Sequence, residues 1–198
     1  MNLLDRKSTP LLAGLIAGLA AIVAAFLAGG SNADVALHAA RWTARTALPV
    51  FLVAYLASSL LRLWPNEMTR AIMRRRRQWG LGFALAHTIH LVALGINVLA
   101  FGPSREPETL VGGGLAYLLI FTMALTSNNW SMKKLGRNWK WLHLIGIHYI
   151  WLIFAVSYAG RLADSGMFLT GAVFTPIMLG ALALRLYARF GRRQMVVA

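Results

Sequence analysis

Residues 74–90 read RRRRQWGLGFALAHTIH: four successive arginines, then an apolar run that continues to Phe101 and carries two histidines. A helix that crosses a bilayer needs about 20 mostly apolar residues, and Trp79 to Phe101 supplies them. Five more runs of this kind flank it, at Pro10 to Leu27, Thr46 to Leu63, Thr109 to Thr126, Trp139 to Tyr158 and Met167 to Tyr187. The 198 residues are 58% hydrophobic and 13% charged, with a mean hydropathy of +0.60; a soluble domain is typically about a quarter charged. The expected fold class is therefore all-α, a polytopic membrane protein forming a single six-transmembrane-helix bundle over residues 1–198. The first run follows Arg6 and Lys7 much as a signal peptide would, but a signal core spans about 7–15 residues. A retained helix is expected instead.

Loop charges set the expected orientation. Sixteen of the 20 basic residues fall on one side: Arg6, Lys7, Arg62, Arg70, Arg74 to Arg77, Lys133, Lys134, Arg137, Lys140, Arg185, Arg189, Arg192 and Arg193, accompanied there by Asp5 and Glu67. The other side holds Arg41, Arg45, Arg105 and Arg161, balanced by Asp34, Glu106, Glu108 and Asp164. The whole formal excess of +14 thus lies on one face. Positive loops stay in the cytoplasm, so both termini are expected there, in the multi-pass protein of a bacterial inner membrane. The Arg74 to Arg77 run reads as a membrane anchor facing anionic lipid headgroups.

The same features exclude several functions. Nucleic-acid binding needs a basic soluble surface, and the loops are too short to build one. No phosphate-cradling glycine motif follows a strand; Gly112, Gly113 and Gly114 open a span, where close packing or a flexible entry is the expected purpose. The absence of cysteine removes disulfides, thiolate metal sites and a cysteine nucleophile. A solute carrier lacks an intramembrane carboxylate and an evident inverted repeat. Trp79, Trp130, Trp139 and Trp141 read as an interfacial belt. Ser58, Ser59, Thr88, Thr122, Thr126 and Ser157 are expected to satisfy their hydroxyls within their own helices.

The ionisable groups left inside the spans are His87 and His90 on the third and His143 and His148 on the fifth, while His38 falls in the first outer loop. Three residues apart, His87 and His90 lie about 60° from each other on one helix face, shared with Phe83, Leu94 and Asn97; His143 and His148, five apart, diverge by about 140°. Histidines of this kind serve either as hydrogen-bonding core residues or as ligands. Imidazoles without nearby carboxylate or thiolate suit haem iron better than a bare divalent ion, whose charge would be uncompensated in an apolar interior. Arg77 and Arg137, at the basic boundary, are placed to pair with haem propionates.

The segments RRRRQWGLGFALAHTIH (Arg74 to His90), MALTSNN (Met123 to Asn129) and LGRNWKWLH (Leu135 to His143) resemble the ferric reductase-like transmembrane domain over about residues 41–158. That family includes the haem-binding membrane subunits of bacterial periplasmic methionine-sulfoxide reductase systems. The resemblance implies six helices holding haem b between the third and fifth spans, with electrons arriving from quinol or a reduced flavin such as FMN and leaving to a redox partner protein or a metal. On this footing the chain is the membrane subunit of an oxidoreductase or of a larger membrane complex. His90 falls on the family's third-span ligand and His143 on its first fifth-span ligand. The second fifth-span ligand is replaced by Val156, and His87 and His148 are unmatched extras. Three outcomes are open: His87 or His90 pairs with His148, His143 takes an unusual partner, or haem is absent and the chain is a structural or assembly subunit.

Overall fold

Continuous helix dominates the computed structural model, which describes residues 6, 8–102 and 107–194; among them no strand occurs. Asp5, Lys7, Arg105 and Glu106, four of the charges used for orientation, lie outside the described residues. The helices are α1 (Thr9–Ala28), α2 (Asn32–Leu63), α3 (Glu67–Arg74), α4 (Arg76–Ile96, continued by a π-helical turn Asn97–Phe101), α5 (Pro107–Leu125), α6 (Asn129–Leu135), α7 (Arg137–Gly160, with a 3-10 turn Arg161–Ala163) and α8 (Phe168–Gln194). Five helices are long and apolar enough to cross a membrane, and a sixth crossing is present if Thr109–Leu125 and Asn129–Leu135, bent by 106°, count as one span. The protein is thus all-α and polytopic.

Two departures from the sequence expectation have clear causes. The second span begins far upstream of Thr46, because α2 starts at Asn32 and runs for 32 residues. Gly29 and Gly30 take positive φ angles of 71° and 101° to turn the chain out of α1. Ser31 and Asp34 then cap the new helix reciprocally: the Ser31 amide and hydroxyl both donate to Asp34 Oδ2, at 3.0 and 2.7 Å, and the Asp34 amide donates to Ser31 Oγ at 3.3 Å. Such a box satisfies amides that a helix start leaves unpaired. His38, Arg41 and Arg45 are therefore helical, not loop, residues. At ~1.5 Å per residue α2 is about 48 Å long, more than the ~30 Å hydrocarbon thickness.

The second departure is the pair of short helices in the basic loops. Asn66 caps α3, accepting from the Thr69 amide at 2.9 Å. Asn128 caps α6, its side-chain Oδ1 accepting from the Ser131 backbone amide at 2.7 Å, and its side-chain Nδ2 donates to Leu125 O at 2.8 Å. One residue thus closes α5 and opens α6, which produces the bend.

Contacts divide the chain into two compact units, Met1–Ala57 with Pro65–Glu106 and Ser58–Trp64 with Pro107–Ala198. In the first, α1 lies backbone to backbone on α4. A methyl group at Gly14 would strike the Gly82 carbonyl, one at Gly82 would strike the Pro10 carbonyl, and Gly18 lies against Ile89. Small residues permit this approach where lipid removes the hydrophobic drive between helices. Ala25, Ala39 and Ala93 continue the seam with Ile22 and Trp42. Across α2 and α4, Phe51 packs on Phe83 with ring centroids 5.1 Å apart.

In the second unit α7 packs on α5 and on α8. Gly146 gives room to the Met123 thioether. The Tyr149 hydroxyl donates to Gly112 O at 3.1 Å and Trp151 Nε1 to Met178 O at 3.0 Å. Of the three successive glycines only Gly112 faces a neighbour, with Ile153 in ordinary contact range; Gly113 and Gly114 border open space. The expected tryptophan belt is divided: Trp130 and Trp141 are exposed, but Trp79 is buried and Trp139 half-buried.

The seam predicts a sharp contrast between two glycines of α4. Gly82→Val should cost about 1–3 kcal/mol through overpacking, whereas Gly80→Ala, with nothing within 4 Å of its added methyl, should leave stability equal or improved. Thermal unfolding in detergent measures both.

Candidate functional site

His90 sits about 21 Å along α4 from Arg76 and about 16 Å from Phe101, near the middle of the span. Its Nδ1 is 3.0 Å from Thr43 Oγ1 of α2. Thr43 is fully buried, and its hydroxyl donates to Ala39 O at 2.6 Å. A hydroxyl has one proton. With that proton on Ala39, Thr43 Oγ1 accepts from the ring, so His90 Nδ1 carries the N–H and Nε2 the lone pair. His87 stands on the same face, its ring centroid 5.0 Å from that of His90 and 4.7 Å from that of Phe83. The expected shared face is thus present, with Asn97 buried at its far end.

In the second unit the two α7 histidines are held differently. His148 Nδ1 is 2.7 Å from Leu144 O. A carbonyl only accepts, so Nδ1 is the protonated nitrogen and Nε2 holds the lone pair. At 11 residues into α7, His148 lies about 16 Å from Arg137 and about 18 Å from Gly160, at mid-helix. His143 is nearer the start, stacked on Trp139 with centroids 4.1 Å apart. Its Nε2 is 3.4 Å from Thr126 Oγ1, at the long edge of hydrogen bonding. Thr126 sends its own proton to Thr122 O at 2.7 Å, and Trp139 Nε1 donates to Thr126 O at 2.9 Å. His143 and Trp139 therefore bind the end of α5 to α7.

Val156 is 61% exposed and offers no donor atom. Arg77 and Arg137 are exposed residues in the first turns of α4 and α7, and neither turn contains an acid. Cations at the positive end of a helix dipole are unfavourable unless an anion joins them. His38 stacks on Trp42 at 5.2 Å on α2 and takes no part in these arrangements. Thr43, in contact with His90, is a residue that sequence reasoning did not single out. Among the described residues no group of three or more His, Asp or Glu side chains could hold a bare ion. The donor set consists of individual imidazoles, suited to the axial positions of an iron whose other ligands come from a porphyrin.

Known proteins resemble this chain along most of its length. The protein-methionine-sulfoxide reductase heme-binding subunit MsrQ of Enterobacter sp. (strain 638) is 32% identical over 160 residues, covering 72% of this chain and 79% of that protein. MsrQ of Salmonella enteritidis PT4 is 30% identical over 177 residues, covering 82% and 81% respectively. MsrQ of Salmonella paratyphi B is 32% identical over 144 residues, covering 65% and 71%. No protein-family model and no solved structure matches the chain.

The hydrogen bonds predict tautomers. In 15N NMR of histidine-labelled protein, His90 and His148 should both show the proton on Nδ1. Thr43→Val should release His90 to a tautomer mixture and leave His148 unchanged.

Proposed function

The chain belongs to the family of protein-methionine-sulfoxide reductase heme-binding subunits MsrQ, and from that premise we propose that it holds haem b in a bacterial inner membrane, both termini in the cytoplasm, and passes electrons from quinol or a reduced flavin to a partner protein or metal acceptor. The observation that carries the reading is the bond from His90 to Thr43. A metal-binding imidazole needs one nitrogen protonated and oriented so that the other presents its lone pair. Thr43 does this for His90, and the Leu144 carbonyl does it for His148. Bound haem would supply a one-electron couple.

The remaining residues have supporting roles. His90 in the first unit and His148 in the second are the imidazoles that would hold haem iron. His87 is the alternative donor on α4 and, with Phe83, walls one flank of the His90 ring. His143 is the alternative on α7 and would offer Nδ1, because its Nε2 is turned to Thr126. Arg77 and Arg137 would each be placed to pair with a haem propionate, which would bring negative charge to a helix start whose first turn has no acid.

One observation favours a second reading, a haem-less structural or assembly subunit on the same fold: Val156 occupies the position that the ferric reductase-like resemblance gives to a ligand. An absorption spectrum decides between them. Protein expressed with ample haem should show a Soret band, and His90→Ala should abolish the haem it ligates. Thr43→Val should weaken haem retention by about 10-fold or more, the usual cost of losing a partner that orients a ligand. A wild-type spectrum without a Soret band would establish the haem-less subunit, and full retention in His90→Ala would move the ligand to His87.

A further inference from the structure

A second polar site lies at the C-terminal ends of α2 and α8 within the second unit. Ser58, Ser59, Arg62, Arg185, Ala188 and Arg189 line a cavity of about 190 Å³. Their spacing places Ser58, Ser59 and Arg62 on one face of α2, and Arg185, Ala188 and Arg189 on one face of α8. Arg62 Nη1 donates to Ala188 O at 3.0 Å, bracing its guanidinium across the two helices. Arg189 is held 5.7 Å over the Phe190 ring. Ser59 is buried and Arg185 half-buried.

Loop charge explains why arginines occur at this end of the chain, but not why three converge with two hydroxyls on one cavity. Arginines that serve only to anchor a helix spread into the headgroups. No carboxylate lines the cavity, and the whole chain has only six Asp and Glu residues. Guanidinium forks and serine hydroxyls together form a donor set matched to a tetrahedral oxyanion.

We propose that this cavity binds the phosphate group of an anionic phospholipid, with Arg185 and Arg189 forking onto its oxygens and Ser58 and Ser59 donating from α2. A lipid is the source because the cavity lies at the ends of two helices long and apolar enough to cross a membrane, the level at which lipid headgroups stand. Basic pockets between helices at the cytoplasmic boundary are suited to such headgroups.

Native mass spectrometry of the full chain in neutral detergent tests this with phosphatidylglycerol, phosphatidylcholine and inorganic phosphate as probes. Wild type should retain phosphatidylglycerol at least tenfold better than phosphatidylcholine. Arg185→Gln with Arg189→Gln should lower that retention tenfold or more, and Arg185→Lys with Arg189→Lys, which keeps the charge and loses the fork, should fall between. Lys133→Gln with Lys134→Gln removes the same charge from exposed α6 positions and should bind as wild type. Displacement of the lipid by millimolar phosphate would support the oxyanion site and overturn the lipid as its source. Equal retention by the Arg185 and Arg189 glutamine variant, or no preference for either anion in wild type, would overturn the site.

Discussion

Inside hydrocarbon a side-chain hydroxyl has almost nowhere to send its proton except a helix carbonyl, and in this protein that constraint orients the chemistry. Thr43, Thr88, Thr122 and Thr126 each donate to the carbonyl four residues back. For Thr88 and Thr122 the bond satisfies the group within its own helix. Thr43 and Thr126 stand beside a histidine, and once their protons are committed their oxygens can only accept. A residue that appears merely to satisfy itself thereby dictates which nitrogen of its neighbour is protonated. His148 reaches the same state through a carbonyl of its own helix.

The spans were legible in the sequence because a crossing helix must be a long apolar run, and that pattern survives any detail of packing. What the sequence obscured was the first half of α2. Asp34, Arg41 and Arg45 suggested a polar loop, yet Asp34 is a capping residue and the two arginines lie in the first half of a helix longer than the hydrocarbon is thick. Losing that half concealed Thr43, and with it the means by which His90 is oriented. The bend after α5 was hidden for another reason: Asn128 both ends one helix and starts the next, a geometry that no periodicity records.

The histidines themselves were legible because imidazoles are conspicuous on apolar helices. Their differing circumstances were not. Sequence alone gave His143 and His148 similar standing, apart from the family resemblance that favoured His143. In the fold, His143 stacks on Trp139 and secures a helix junction, whereas His148 occupies mid-helix with its ring turned by a backbone bond. Val156, exposed on the same helix, stands at the position where the ferric reductase-like resemblance leads one to expect a ligand. That departure gives His148 its importance in the proposed ligand set.

The alanine-rich α1 has no polar side chain in its packed face, yet it lies so close to α4 that Gly14 and Gly82 exclude even a methyl group. Such an interface locks like a keyway. Turning α4 about its own axis would drive Cβ atoms of other residues into the α1 backbone, so the compass bearing of His90 is fixed by a helix that does no chemistry. An inert element of this sort acts as a keel, and the aim of an imidazole depends on two hydrogen atoms standing where side chains would be.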